Sequence, residues 1–221
     1  MIAVLLADDE PLVRGGLRAI LDAEDDITVV GEAADGAEAL GQARRSHPDV
    51  VLMDVRMPHI DGITATSLLT SLPRPPKVIV VTTFENDDYV YDALVAGAHG
   101  FLLKRDAPAG VVRAVRTTAA GDALLFPEAL RSLVASRAPA AADVRRSTDH
   151  DRRLARLTER EREVLRLLAG GLANAEIAAD LVVGVETVKT HVRNVLAKLD
   201  VKDRVQAVIV AYESGFVQPG G

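Results

Sequence analysis

Four apolar runs in this 221-residue chain end on side chains that can do chemistry. Asp8 and Asp9 follow "IAVLLA", Asp54 follows "VVLM", Thr82 and Thr83 follow "KVIVV", and Lys104 follows "GFLL". Three carboxylates held close together repel one another unless a cation joins them. Their oxygens are hard ligands that suit Mg2+, which keeps several waters and pairs with phosphate. A carboxylate can also attack a phosphoryl group as a nucleophile, and a lysine ammonium neutralises charge on phosphate oxygens. The chemistry implied is an aspartyl phosphate formed on Asp54. Taken singly, each residue reads better as a helix cap, a turn or a surface charge. Their coincidence at several strand ends is what points to this chemistry.

That coincidence requires the runs to be neighbouring strands. "IAVLLA", "ITVVGEA", "DVVLMD", "KVIVVTT" and "GFLLK" are short apolar runs of the kind that become buried strands. Between and after them, "PLVRGGLRAILDA", "GAEALGQARRS", "ITATSLLTSL", "DDYVYDALVAG" and "APAGVVRAVRTTAAG" have helical spacing. Strict alternation of strand and helix gives an α/β doubly wound parallel sheet with helices on both faces. In such sheets ligands bind beyond the carboxyl ends of the strands, where all of these residues stand. Past Gly121 the pattern weakens. Residues 121–153 read as a linker, with a possible short helix near Pro127 and then an Ala-, Arg- and Asp-rich stretch without apolar periodicity.

Composition narrows the function classes. Hydrophobic residues make up 48% and charged residues 26%, a globular balance, and no cysteine is present for disulfides, thiol catalysis or thiolate metal sites. No basic leader and no apolar run of spanning length occurs, so a cytoplasmic protein with no membrane partner is expected. Residues 1–150 hold 22 of the 32 acidic side chains and 15 of the 26 basic ones. The formal charge of −6 therefore belongs to that part, and 151–221 is close to neutral. An acidic whole does not exclude nucleic-acid binding by a small module of different charge.

The C-terminal segment has such a module. "LTEREREVLRLLAGG" opens with a capping box, Thr158 and Glu161, and ends at Gly170–Gly171. Asn174 is expected to cap "AEIAADL". A "VVG" turn leads to "ETVKTHVRNVLAKLD", and "DRVQAVIVAYESG" follows. Two short helices, a tight turn and a basic third helix suggest helix-turn-helix DNA binding. On the third helix Val188, Val192, Val195, Leu196 and Leu199 face a core, with Lys189, Thr190, Arg193 and Asn194 opposite. An isolated amphipathic helix with solvated charges is the commoner reading.

Two resemblances add to this reading. Residues 1–120 resemble the receiver domain of bacterial two-component response regulators. The match is carried by Asp8–Asp9, Asp54 after "VVLM", "MPHIDG", Thr82, "AGAHGFLLK" and Lys104. It implies a flavodoxin-like strand order, 2-1-3-4-5, with Asp54 as phosphoacceptor. It also implies Mg2+ held by Asp8, Asp9, Asp54 and the backbone carbonyl of Arg56, and Thr82 and Phe101 as the switch pair. A sensor histidine kinase is the implied partner. Residues 154–217 resemble the LuxR-type helix-turn-helix of the NarL/FixJ class through "LTERE", "GLANAEIAADL", "TVKTHVRNVLAKL" and "RVQAV". That resemblance implies base contacts from Lys189, Thr190 and Arg193. It implies phosphate contacts from Asn174, Thr187, Lys198 and Arg204, and a dimer face around Val205, Val208, Ile209 and Tyr212. A homodimer formed on phosphorylation would bind a double-stranded operator with inverted half-sites. The chain departs from the family's common pattern in three places: Lys104 is followed by Arg105–Asp106, not proline; Phe101 stands where tyrosine is frequent; and Gly184 replaces a serine or threonine cap.

The expectation is a phosphorylation-activated transcription factor, not an enzyme apart from phosphotransfer onto Asp54 and its slow hydrolysis. The receiver resemblance also implies that Arg56 and Phe84 flank the path of hydrolytic water, where their bulk is expected to prolong the phosphoryl group's lifetime. Two rivals remain at this stage. One is a Mg2+-dependent phosphohydrolase, disfavoured because Val55 and Arg56, not a second acid, follow Asp54. The other is a binding module with an inert receiver, disfavoured by the complete set of acids, Thr82 and Lys104.

Overall fold

A computed structural model of the chain describes residues 1–83, 87–121 and 150–217. The chain divides into two compact units, Met1–Gly121 and Asp122–Gly221. Phe84, most of the linker and its expected short helix lie outside the described residues.

The first unit is a five-stranded parallel sheet in the order β2-β1-β3-β4-β5. Its strands are β1 (Ile2–Ala7), β2 (Ile27–Ala33), β3 (Val50–Asp54), β4 (Lys77–Thr82) and β5 (Gly100–Leu103). They alternate with α1 (Pro11–Leu21), α2 (Gly36–Ser46), α3 (Gly62–Thr70), α4 (Asp87–Val95) and α5 (Pro108–Ala120). The three inner strands are apolar on both faces, with Val4, Leu5, Leu6, Val50 to Met53 and Val78 to Val81 all buried. This is why the sequence shows unbroken apolar runs there and not alternation.

Local chemistry fixes the helix starts. Pro11 opens α1, where its missing N–H costs nothing. Asp35 caps α2 by accepting from the Glu38 amide, and Asp61 caps α3 by accepting from the Thr64 amide. The turn "PHIDG" ends on Gly62 because the chain folds back onto β3. Gly62 N–H donates to the Val55 carbonyl at 2.9 Å. A Cβ at Gly62 would stand 1.8 Å from the Asp54 carbonyl oxygen, so any larger residue would push α3 away from the strand that carries Asp54.

The second unit contains α6 (Glu159–Ala169), α7 (Asn174–Asp180), α8 (Val185–Leu199) and α9 (Arg204–Glu213). Thr158 and Glu161 form the expected capping box on α6. The core of this unit includes Val164, Leu165, Leu168, Ile177, Val188, Val195 and Leu199. Val192 and Leu196 are half-buried. Despite its glycine cap, α8 is helical from Val185 onward. No helix among the described residues is long and apolar enough to cross a membrane.

Candidate functional site

The carboxyl ends of β1, β3, β4 and β5 converge on a cavity of about 430 Å3. It is lined by Asp9, Glu10, Asp54, Val55, Arg56, Thr82, Thr83, Tyr89 and Lys104. Asp8, beside this lining, is 2% exposed, and Asp54 is 5% exposed. Lys104 Nζ lies 2.8 Å from Asp8 Oδ2, 3.1 Å from Glu10 Oε1 and 3.3 Å from Asp54 Oδ1. One ammonium thus joins the ends of three separate elements.

Each group is held by neighbouring backbone. Asp8 Oδ1 accepts from the Glu10 amide at 2.9 Å, and the Asp8 carbonyl accepts from Arg14 Nη1 at 2.6 Å. Arg14 is itself fixed by Glu32 on β2. Asp54 Oδ2 accepts from the Arg56 amide at 3.1 Å. Lys104 N–H donates to the Thr82 carbonyl at 2.8 Å, which sets β4 and β5 in register at the rim. Beyond Lys104, the Asp106 carboxylate accepts from the Leu103 amide at 2.9 Å, and the Asp106 amide donates back to the Leu103 carbonyl at 2.8 Å. This reciprocal pair closes the turn that follows Lys104.

Electrostatics follow from the packing. Burial pushes the Asp54 carboxyl up to about 6. Lys104 pulls it down, and the nearby Asp8 and Asp9 charges add to the rise. Burial alone would lower the Lys104 ammonium, but the Asp8, Asp54 and Glu10 carboxylates outweigh it and hold the group above its ordinary range. A ligand oxygen of each of Asp8, Asp9 and Glu10 lies within 4.8 Å of the others. This all-oxygen, net-negative set fits a hard divalent cation.

The sequence reading did not single out Glu10 or Tyr89. Glu10 follows the acidic pair and bonds Lys104 directly. Tyr89, on α4, lies under the Arg56 guanidinium, 5.3 Å from ring centroid to Cζ. No sequence signal pairs two residues on separate elements in this way. Phe101 is half-buried on β5.

In the second unit, Lys189, Thr190 and Arg193 lie together on one face of α8. Arg193 and Thr190 are exposed, and Lys189 Nζ is 3.0 Å from Glu186 Oε1. Thr187 is exposed on the first turn of the same helix. The other expected phosphate contacts are placed differently. Arg204 is 7% exposed and donates to Asn174 Oδ1 at 3.1 Å and to the Leu172 carbonyl. It locks α9 to the turn before α7, and neither Arg204 nor the buried Asn174 is presented to a phosphate. Asn174 does not cap α7 either: it is the first helical residue, and Glu176 accepts from the Ala173 amide in front of it. Lys198 Nζ stands 2.6 Å from the buried Glu161 carboxylate and ties α8 to α6. Val205, Val208, Ile209 and Tyr212, expected at a dimer face, are all buried, and the Tyr212 hydroxyl donates to the Ala169 carbonyl at 3.1 Å.

Comparison with known proteins bears on both units. The family of response regulator receiver domains matches residues 4–116, and the luxR family of bacterial regulatory proteins matches residues 155–211. The chain is 43% identical to the transcriptional regulatory protein LiaR of Bacillus subtilis over 217 residues, covering 98% of this chain and 100% of that one. It is 40% identical to the response regulator protein VraR of Staphylococcus aureus, over 98% and 99% of the two chains.

The chain is a LuxR-type response regulator.

Among solved structures, this response regulator is similar to the regulator ChrA of a heme-sensing two-component system. The identity is 37% over 98% of both chains, with a TM-score of 0.52. The regulator is a DNA-binding transcription factor of a two-component system, with a receiver followed by a LuxR-type DNA-binding domain.

Proposed function

We propose that Asp54 is the phosphoacceptor, with a histidine kinase as donor and Mg2+ as the resident cation. The observation that carries this reading is the single Lys104 ammonium shared by Asp8, Glu10 and Asp54 at the mouth of the cavity. An Asp54 carboxylate oxygen attacks the phosphorus of a phosphohistidine, and the phosphorus–nitrogen bond to the kinase imidazole breaks. Lys104 neutralises the incoming phosphoryl oxygens. Asp8, Asp9, Asp54 and the Arg56 backbone carbonyl would hold Mg2+, which offsets the charge of the acids and of the phosphoryl group. Thr82 and Phe101 follow the phosphoryl group and alter the face around β4 and β5.

Output is proposed to run through α8, with Lys189, Thr190 and Arg193 reading base edges of an operator built from inverted half-sites, and Thr187 contacting phosphate. A homodimer formed on phosphorylation would place two copies of α8 about one helical turn of DNA apart. The buried side chains of α9 must be uncovered before they can join a second copy.

The test is incubation with Mg2+ and acetyl phosphate, read by intact mass. Wild type is expected to gain one phosphoryl group and Asp54→Asn none. Uptake by Asp54→Asn at the wild-type stoichiometry overturns the assignment.

A further inference from the structure

The base-facing stripe of α8 begins one turn earlier than the basic residues. Glu186, Lys189, Thr190 and Arg193 are spaced i, i+3, i+4 and i+7, which puts all four on one face of the helix. The Glu186 side chain is 85% exposed and its Oε1 accepts from Lys189 Nζ at 3.0 Å. Its backbone carbonyl accepts from the Thr190 hydroxyl at 2.9 Å. Glu186 is thus joined to two of the three residues assigned to base reading.

An acid here has a definite cost on DNA. A helix that enters the major groove does so with its N-terminal residues against the base edges and phosphates on both sides. A carboxylate in that position is repelled by every phosphate nearby unless a base donates to it. The donors exposed in the major groove are the amino groups of cytosine and adenine. Adenine sets an acceptor nitrogen beside its amino group, which opposes a second carboxylate oxygen. Cytosine carries no such acceptor. Lys189, next along the stripe, has the opposite chemistry and suits guanine. Gly184 offers no side-chain cap, and the positive end of the helix dipole lies beside the carboxylate.

We propose that Glu186 is a specificity-determining residue that selects cytosine at one position of each operator half-site. This rests on the assignment of α8 as the recognition helix. The test uses the full-length chain, phosphorylated with acetyl phosphate and Mg2+, in selection from a randomised DNA duplex. Wild type, Glu186→Gln, Glu186→Ala and Lys189→Ala are compared position by position. Wild type is expected to favour cytosine at one half-site position by roughly 5–150-fold. Glu186→Gln should move that preference to adenine, because an amide pairs with the adenine amino group and ring nitrogen. Glu186→Ala should flatten that position and leave the others as they are. Lys189→Ala should flatten a different one. The proposal is overturned if both Glu186 variants keep every wild-type preference and only bind all sequences more tightly. It is equally overturned if Glu186→Ala and Lys189→Ala flatten the same position and Glu186→Gln restores it, since Glu186 then acts only by steadying Lys189. A wild type that enriches no sequence defeats the recognition-helix assignment itself, and with it this proposal.

Discussion

His99 lies at the N-terminal ends of the strands, away from the acidic cavity. Its Nδ1 accepts from the Val78 amide at 3.3 Å. Burial, and after it the Lys77 charge, push the imidazole down to about 4. An unfolded histidine titrates near 6.5. Between these values the unfolded chain takes up a proton that the folded receiver refuses. Stability is therefore full above about pH 6.5 and falls as pH drops towards about 4, by up to about 3 kcal/mol. His99→Gln keeps an acceptor without the titration and should flatten this slope. Melting curves of both proteins across that range check it, and parallel slopes would exclude His99 as the cause. A second residue-scale expectation concerns Tyr89. The ring supports Arg56 at the wall of the cavity, and Tyr89→Ala should weaken that support beside the expected path of hydrolytic water. A cation–π contact at an exposed site is worth about 0.5–1 kcal/mol, so aspartyl-phosphate decay should quicken by ~2–5-fold. Decay is followed by intact mass after removal of the phosphodonor, and an unchanged rate would remove Tyr89 from the barrier. Phe84, the other residue expected on that path, lies outside the described residues.

At the scale of elements, the five strands and the helices between them were legible because apolar runs and helical periodicity alternate without ambiguity. Residue 8, 54, 82 and 104 positions followed at once, since strand ends are where such sheets place their chemistry. Arg204 and Asn174 lie deeper than their expected phosphate contacts would place them, for a physical reason. A basic residue at a helix start looks alike in sequence whether it reaches outward or fills a buried turn, and only packing decides. The structure gives Arg204 two acceptors, Asn174 Oδ1 and the Leu172 carbonyl, which tie α9 to α7 and the chain before it. Arg204→Ala should take a donor from both and cost about 2–4 kcal/mol of stability in the DNA-binding domain. Arg204→Lys should not rescue it, because a single ammonium cannot reproduce a planar fork. A phosphate contact, by contrast, would survive the lysine. Denaturant titration of wild type and both variants separates the two: full stability in Arg204→Lys would restore the original reading. The Lys198–Glu161 pair was hidden in the same way. The capping box announced Glu161, but nothing along the chain showed that α8 would return an ammonium to it.

At the scale of the whole molecule, input and output lie on different units of one chain, and the proposed link is a change of oligomeric state. The α9 side chains expected at the dimer face are covered in this structure. The unphosphorylated regulator should therefore be mainly monomeric. Phosphorylation should tighten self-association by ~5–150-fold, the usual range of a coupling free energy between sites. Light scattering over a concentration series, with and without Mg2+ and acetyl phosphate, measures this, and identical dimer affinity in both states would break the link. One feature of α8 reaches further. Its stripe of Glu186, Lys189, Thr190 and Arg193 shares no residue with the core set of Val188, Val195 and Leu199. What the helix says to DNA and what holds the helix in place are written in separate letters. The four stripe residues can then be exchanged as a block for those of another regulator while the scaffold and its acidic cavity are kept. Such chimeras would answer the same kinase at a foreign promoter, so one sensor could be wired to any gene whose operator the grafted stripe can read.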